Sequence, residues 1–158
     1  MNIEEIERRL RAIEDVEAIK KLKARYCVYC DEGYNAGGIA GLFTEDGVWD
    51  GGLFGCYEGR DAIRSFFQEA SQMISFALHY VTNSIVEVDG DQAQGTWYLF
   101  QTCTFVEGNQ AVWGAGRYTE EYVRVGGEWK FKNLKVVSSF WTPYEEGWVK
   151  KPFLQEGS

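Results

Sequence analysis

Four long β-like runs, separated by tight turns, occupy the second half of this chain and limit what it can fold into. They span residues 77–89, 92–106, 110–125 and 128–142, and the breaks between them read "DGDQ", "EGNQ" and "VGGE". Turns this short join antiparallel neighbours. The first half supplies helices to cover the sheet. Ile3, Ile6, Leu10 and Ile13 recur at helical spacing between charges. Asp15 can then cap a second helical run, with Val16, Ile19, Leu22, Tyr26 and Tyr29 or Cys30 on its inner side. Asp31-Glu32-Gly33 reads as the end of that run, with Gly33 supplying the turn. A weak helix is expected at 35–43, a short strand in "FTEDGVWDG", and another helix with Ile63, Phe66 and Phe67 inward. The order predicts a single α+β domain over 1–158. Helices at about 3–43 and 59–71 pack on one face of a curved antiparallel sheet at about 77–142. The tail at 143–158 is irregular, and Trp148 and Phe153 suggest that it docks.

Composition narrows the function. With 158 residues and 45% apolar side chains, the chain can build a core. A net charge of −8 without a basic block argues against nucleic acid and acidic lipid surfaces, which need clustered Lys and Arg. The charged N-terminus has no apolar signal-peptide core, and no run approaches the length of a membrane span. A soluble cytoplasmic protein with reduced thiols is therefore expected.

Three candidate chemistries remain. Cys27 and Cys30 form Cys-x-x-Cys, but no second pair completes a zinc site. They also fall near a helix C-terminus, where the dipole disfavours thiolate. They read as buried, inert small residues. Asp31 is either a solvated turn acid or a working carboxylate. His79, the only histidine, is either a satisfied structural residue or a general base. In a cavity, a carboxylate on its other nitrogen would fix the tautomer and stabilise the imidazolium. Tyr26, five positions before Asp31, reaches the same cavity only if the helix end opens toward it.

The ordered fragments "LFTEDGVWDGG", "YEGRDAIRSFF", "HYVTN", "VEGNQ", "GRYTEEY", "WKF" and "FWTP" resemble the SnoaL-like family. That family belongs to the superfamily of scytalone dehydratase and nuclear transport factor two. The resemblance runs from about residue 5 to 150. It implies a cone: a curved antiparallel sheet wrapped around helices, with one deep apolar pocket. The second half is most similar to the hexachlorocyclohexane dehydrochlorinases. Those enzymes and the bile-acid dehydratases use an Asp–His dyad, which the resemblance carries to Asp31 and His79. The bile-acid dehydratase pattern also has a tyrosine at Tyr26, where the dehydrochlorinases carry lysine. Their last-strand arginine falls on Leu134, beside Lys135. Scytalone dehydratase has a second histidine where this chain has Thr102 or Cys103.

The resemblance thus implies a cofactor-independent lyase, with no metal. His79 takes a proton from carbon, Asp31 stabilises the imidazolium, and Tyr26 assists a leaving oxygen. Water is the expected leaving group and the substrate an apolar cyclic small molecule. Dehydrohalogenase, isomerase, cyclase, ligand-binding and dioxygenase small-subunit roles are the alternatives on the same fold. Expected pocket walls are Trp49, Phe54, Trp97, Leu99, Trp113 and Phe140, each of which could equally be core. Asn83 shares a face with His79 if the strand is regular. Relatives suggest a homotrimer.

Overall fold

A computed structural model describes residues 1–154. Helix α1 (Ile3–Asp31) opens the chain and is followed by a short helix α2 (Ala36–Gly41). Strands β1 (Phe43–Asp50) and β2 (Cys56–Glu58) precede helix α3 (Arg60–Met73). The long meander then runs through β3 (Ile74–Asp89), β4 (Gln92–Phe105), β5 (Gln110–Val125) and β6 (Glu128–Pro143), with a one-turn helix α4 (Gly147–Lys150) in the tail. The sheet order is β2-β1-β6-β5-β4-β3. Only the β1–β6 pairing is parallel among the described strands. The four long strands begin and end within three residues of the ranges the turns predict.

Helix α1 is continuous, which corrects the expected break at Asp15. Asn2 caps it instead, its side chain accepting the Glu5 N–H at 2.9 Å. Asp15 lies mid-helix and ties α1 to the sheet. Its carboxylate accepts two bonds from Arg124, at 2.8 and 2.9 Å, and one from the Trp129 indole at 3.1 Å. The N-terminal stripe Ile3, Ile6, Leu10 and Ile13 is exposed, and the packed face of α1 begins only beyond it. From there Ile19, Leu22, Lys23, Tyr26, Cys27 and Cys30 are buried.

The sheet buries alternate residues, as a one-faced sheet must. On β4 these are Ala93, Trp97, Leu99, Gln101 and Cys103; on β5, Val112, Tyr118, Glu120 and Tyr122. Register shifts interrupt the alternation at several points, and two of them bear on the site. One falls between Thr82 and Ile85 on β3, where Asn83 adopts a positive φ of 55°. The other falls on β6, where Phe140 pairs Ala115 but Ser138 pairs Gly116, leaving Ser139 as the extra residue. Each bulge moves every later side chain to the opposite face.

The tail docks on one end of β5 and β6. Trp148 packs on Phe140 and Trp113, with ring centroids 5.1 and 5.6 Å apart. Phe153 bridges to Trp141 in parallel register.

Candidate active site

Asp31 is the last residue of α1, and the chain reverses immediately after it. Gly33 and Tyr34 both take positive φ, at 77° and 54°, and the Tyr34 and Asn35 amides bond back to the Cys30 and Tyr29 carbonyls. The reversal sets the Asp31 side chain against β3. There Asp31 Oδ1 accepts the His79 backbone N–H at 2.9 Å and faces His79 Nδ1 at 2.7 Å. A carboxylate oxygen already taking one N–H is an acceptor, so Nδ1 carries the ring hydrogen. Nε2 is then the bare nitrogen, a base rather than an acid. The His79 side chain is only 5% exposed. Burial lowers its pKa below the ordinary histidine value, and the bond from Asp31 works in the other direction without overcoming it. The imidazole is therefore neutral at pH 7.

His79 borders a cavity of about 70 Å³. Aromatic rings make most of its wall: Tyr26, Tyr34, Trp49, Phe54, Phe66 and Trp141. Polar groups are few: the Gln101 amide, the Ser138 hydroxyl and the tyrosine hydroxyls. Ligand pockets usually measure ~300–1,000 Å³, so anything beyond a small ring needs the wall to yield. Phe54 is one part of that wall. It ends a single 3-10 turn between Gly52 and Gly55, both at positive φ.

Tyr26 reaches the cavity although it lies most of a half-turn from Asp31, because the cavity lies against the final turns of α1. Its hydroxyl accepts the Trp49 indole N–H at 2.9 Å and keeps a hydrogen of its own, with the Cys30 thiol as a neighbour. Burial pushes the Tyr26 pKa well above the usual phenol range, with Cys30 adding to the effect, so the hydroxyl stays protonated. Cys27 and Cys30 are buried free thiols; burial pushes Cys27 up to about 11 and Cys30 well above the ordinary thiol value. Neither forms thiolate near neutrality.

The structure brings Tyr26, Asp31, His79, Trp49, Phe54 and Leu99 to this site and leaves four expected residues away from it. Asn83 sits on the β3 bulge, exposed, because the extra residue breaks the face it would share with His79. Phe140 is turned outward by the β6 bulge, and Trp141 takes the inward place. Trp113 occupies an odd position on β5, whose buried residues are even, so it faces outward beneath Trp148. Trp97 is buried but stands off the cavity wall, its indole donating to the Tyr122 hydroxyl at 3.1 Å.

Besides Tyr118 and Ser138, three cavity residues carry polar groups that sequence reasoning missed. Gln101 is the cross-strand partner of His79, and its amide donates to the Tyr34 hydroxyl at 3.4 Å. Its parity with Leu99 was a usable signal. The Tyr34 ring stands edge-on to the imidazole at 6.1 Å. Its position follows from the reversal after Asp31, which no periodicity announces. Trp141 is the third.

A curled six-stranded sheet packed over helices, with an aromatic cavity between them, is a cone-shaped α+β fold. Comparison with known proteins agrees. The SnoaL-like domain family matches residues 11–135, and the chain belongs to that family. It is 29% identical over 109 residues to gamma-hexachlorocyclohexane dehydrochlorinase of Sphingobium indicum, covering 68% of this chain and 70% of that protein. A solved hexachlorocyclohexane dehydrochlorinase of type 2 superposes with a TM-score of 0.79 at 29% identity, over 85% of this chain and 91% of that one. A nuclear-transport-factor-two-like protein with a cystatin-like fold from Novosphingobium aromaticivorans superposes with a TM-score of 0.67, over 85% and 88% of the chains. At 23% identity it speaks for the fold alone.

Proposed function

We propose that the protein is a cofactor-independent lyase that carries out base-initiated β-elimination on a small apolar ring compound. The observation that carries this reading is the contact from His79 Nδ1 to Asp31 at 2.7 Å, with the ring on the wall of an aromatic cavity. Nε2 removes a proton from a ring carbon. The C–H electron pair becomes the new double bond as the leaving group departs from the neighbouring carbon. Asp31 holds the imidazolium that forms. General-base help of this kind is worth about 10²–10⁴-fold.

Water is the leaving group we favour. Hydroxide departs as a strong base and needs a hydrogen bond, which the Tyr26 hydroxyl supplies. Accepting the Trp49 N–H makes that hydroxyl a better donor. The proton taken by His79 then passes to the departing oxygen, so water is released and the base is restored. Loss of halide is the second reading. The similarity to hexachlorocyclohexane dehydrochlorinases favours it, and the proton on His79 then goes to solvent.

Product analysis separates the two. The protein is incubated with pooled cyclic β-hydroxy ketones and, separately, with chlorinated cyclohexanes. Formation of enones supports the first reading and release of chloride the second. Neither product, in either pool, counts against elimination altogether.

The homotrimer suggested by the resemblance belongs to the same proposal. Exposed Tyr80, Phe100 and Val137 on the outer sheet face support self-association. Light scattering at micromolar concentration tests it: three times the 18.1 kDa chain mass is expected, and a monomer refutes it.

A further inference from the structure

Four tryptophans are buried in this protein, and three of their indole N–H groups have partners. Trp49 donates to Tyr26, Trp97 to Tyr122 and Trp129 to Asp15. The fourth, Trp141, is 7% exposed, and its Nε1 has no hydrogen-bond partner among the described residues. A buried donor without an acceptor is destabilising, and native proteins rarely keep one without a use.

The placement of this indole is closely held. The β6 bulge turns Trp141 inward, directly across from Gly114 on β5. A Cβ at Gly114 would fall 1.7 Å from Trp141 Cε3 and 2.2 Å from Cζ3. Glycine is therefore what allows the benzene edge of the indole to lie against β5. Nε1 is on the other edge of the ring system from Cε3, away from that strand. Phe54 packs edge-on at 5.4 Å, and Trp141 borders the cavity that His79 borders. Among the described residues no acceptor pairs Nε1, and the indole borders the cavity, so an acceptor that enters the cavity suits it.

We infer that the Trp141 indole N–H is a substrate-binding donor that holds an electronegative substituent, oxygen or halogen, on the ring compound His79 acts upon. This rests on the reading of the cavity as a small-molecule site. It adds a specificity element to that reading: unsubstituted hydrocarbon rings leave the donor unpaired, whereas a ring carrying an acceptor satisfies it. Discrimination by an otherwise unpaired buried donor is larger than that by apolar contact alone.

The test uses the full chain with ¹⁵N-labelled tryptophan and three matched probes: cyclopentanone, chlorocyclopentane and methylcyclopentane. Loss of one indole signal in Trp141→Phe assigns the Trp141 resonance. Cyclopentanone or chlorocyclopentane should move the Trp141 indole proton downfield, and methylcyclopentane should not. Whichever of the two moves it further identifies the acceptor as oxygen or halogen. In Trp141→Phe, with the other indole signals unmoved, binding of that probe should weaken by about three- to tenfold while methylcyclopentane is unaffected. The inference fails if the Trp49 indole responds and Trp141 does not. It also fails if Trp141→Phe weakens all probes alike, or if no probe moves any cavity signal. His79→Ala separates this inference from the catalytic reading: it should leave the Trp141 shift intact. Loss of turnover dependence on His79 with the shift retained would overturn the chemistry and keep the subsite.

Discussion

Lys23 and Glu120 offer the most exacting test of how α1 is held in the sheet. Both side chains are 0% exposed, and Lys23 Nζ lies 2.5 Å from Glu120 Oε1. The contact is an ion pair enclosed by the core. Two further sets of contacts surround the pair. Glu120 Oε2 accepts the Tyr122 hydroxyl, and Lys23 Nζ sits 3.1 Å from the Tyr118 ring centroid and 4.6 Å from that of Tyr26. Breaking a buried ion pair by removing one partner costs about 3–5 kcal/mol, because the remaining charge is stranded. Lys23→Met strands a carboxylate with one hydroxyl for company, so it should cost the full ~3–5 kcal/mol. Glu120→Gln strands an ammonium that keeps its aromatic faces, worth about 1–2 kcal/mol when desolvated, so it should cost correspondingly less. The double variant removes both charges and should be more stable than Lys23→Met. Urea titration at pH 7 measures all three. At ~2–4 °C per kcal/mol, Lys23→Met should also melt roughly 6–20 °C lower. Equal losses in the two single variants, or a double variant whose loss is their sum, would refute the reasoning.

Other predictions concern the site and its supports. The rate of turnover should rise with pH through a value below 6.5, the ordinary histidine pKa, and then stay flat to about pH 9, because burial depresses His79 and keeps Tyr26 protonated; a profile that falls across pH 6–8 contradicts this. The same depression has a stability sign. The folded state binds fewer protons than the unfolded state between the two His79 values, so stability is full above 6.5 and is lost as pH falls through the folded value; this loss should vanish in His79→Gln, measured by urea midpoint. Asp15→Ala removes three hydrogen bonds to Arg124 and Trp129 and should cost about 2–3 kcal/mol. The Arg124 bonds hold the Asp15 carboxyl below the usual carboxylate range, so its contribution is present above about pH 4 and is lost below it. Gly114→Ala sets a Cβ into the Trp141 indole and should cost about 1–3 kcal/mol while displacing the Trp141 resonance; an unchanged spectrum would contradict the packing described.

Much of the fold was legible because its signals are local. The three glycine-containing turns announce the meander, and tight turns leave no choice but antiparallel neighbours. The partners of the strands are a different matter. Nothing near Phe43 or Trp49 says that β1 lies parallel to β6, since their partners, Phe131 and Leu134, lie far along the chain. Side-chain direction failed at the bulges. Alternation from Leu134 through Val136 and Ser138 points to Phe140, and one unpaired residue, Ser139, makes it Trp141. The same error in β3 put Asn83 beside His79. The pairing of Asp31 with His79 came from resemblance rather than spacing, because residues 48 positions apart carry no local sign of contact. Lys23 was missed for a related reason. A lysine between Leu22 and Tyr26 reads as a solvated helix position until Glu120 arrives from a strand almost a hundred residues away.

His79 as the proposed base makes turnover depend on its imidazole. On whichever ring compound the wild-type protein converts, the turnover of His79→Ala is compared with that of wild type, with circular dichroism verifying that both are folded. A fall of about 10²-fold or more, without change in fold, is the predicted result. A folded His79→Ala protein that forms product at close to the wild-type rate would contradict the account.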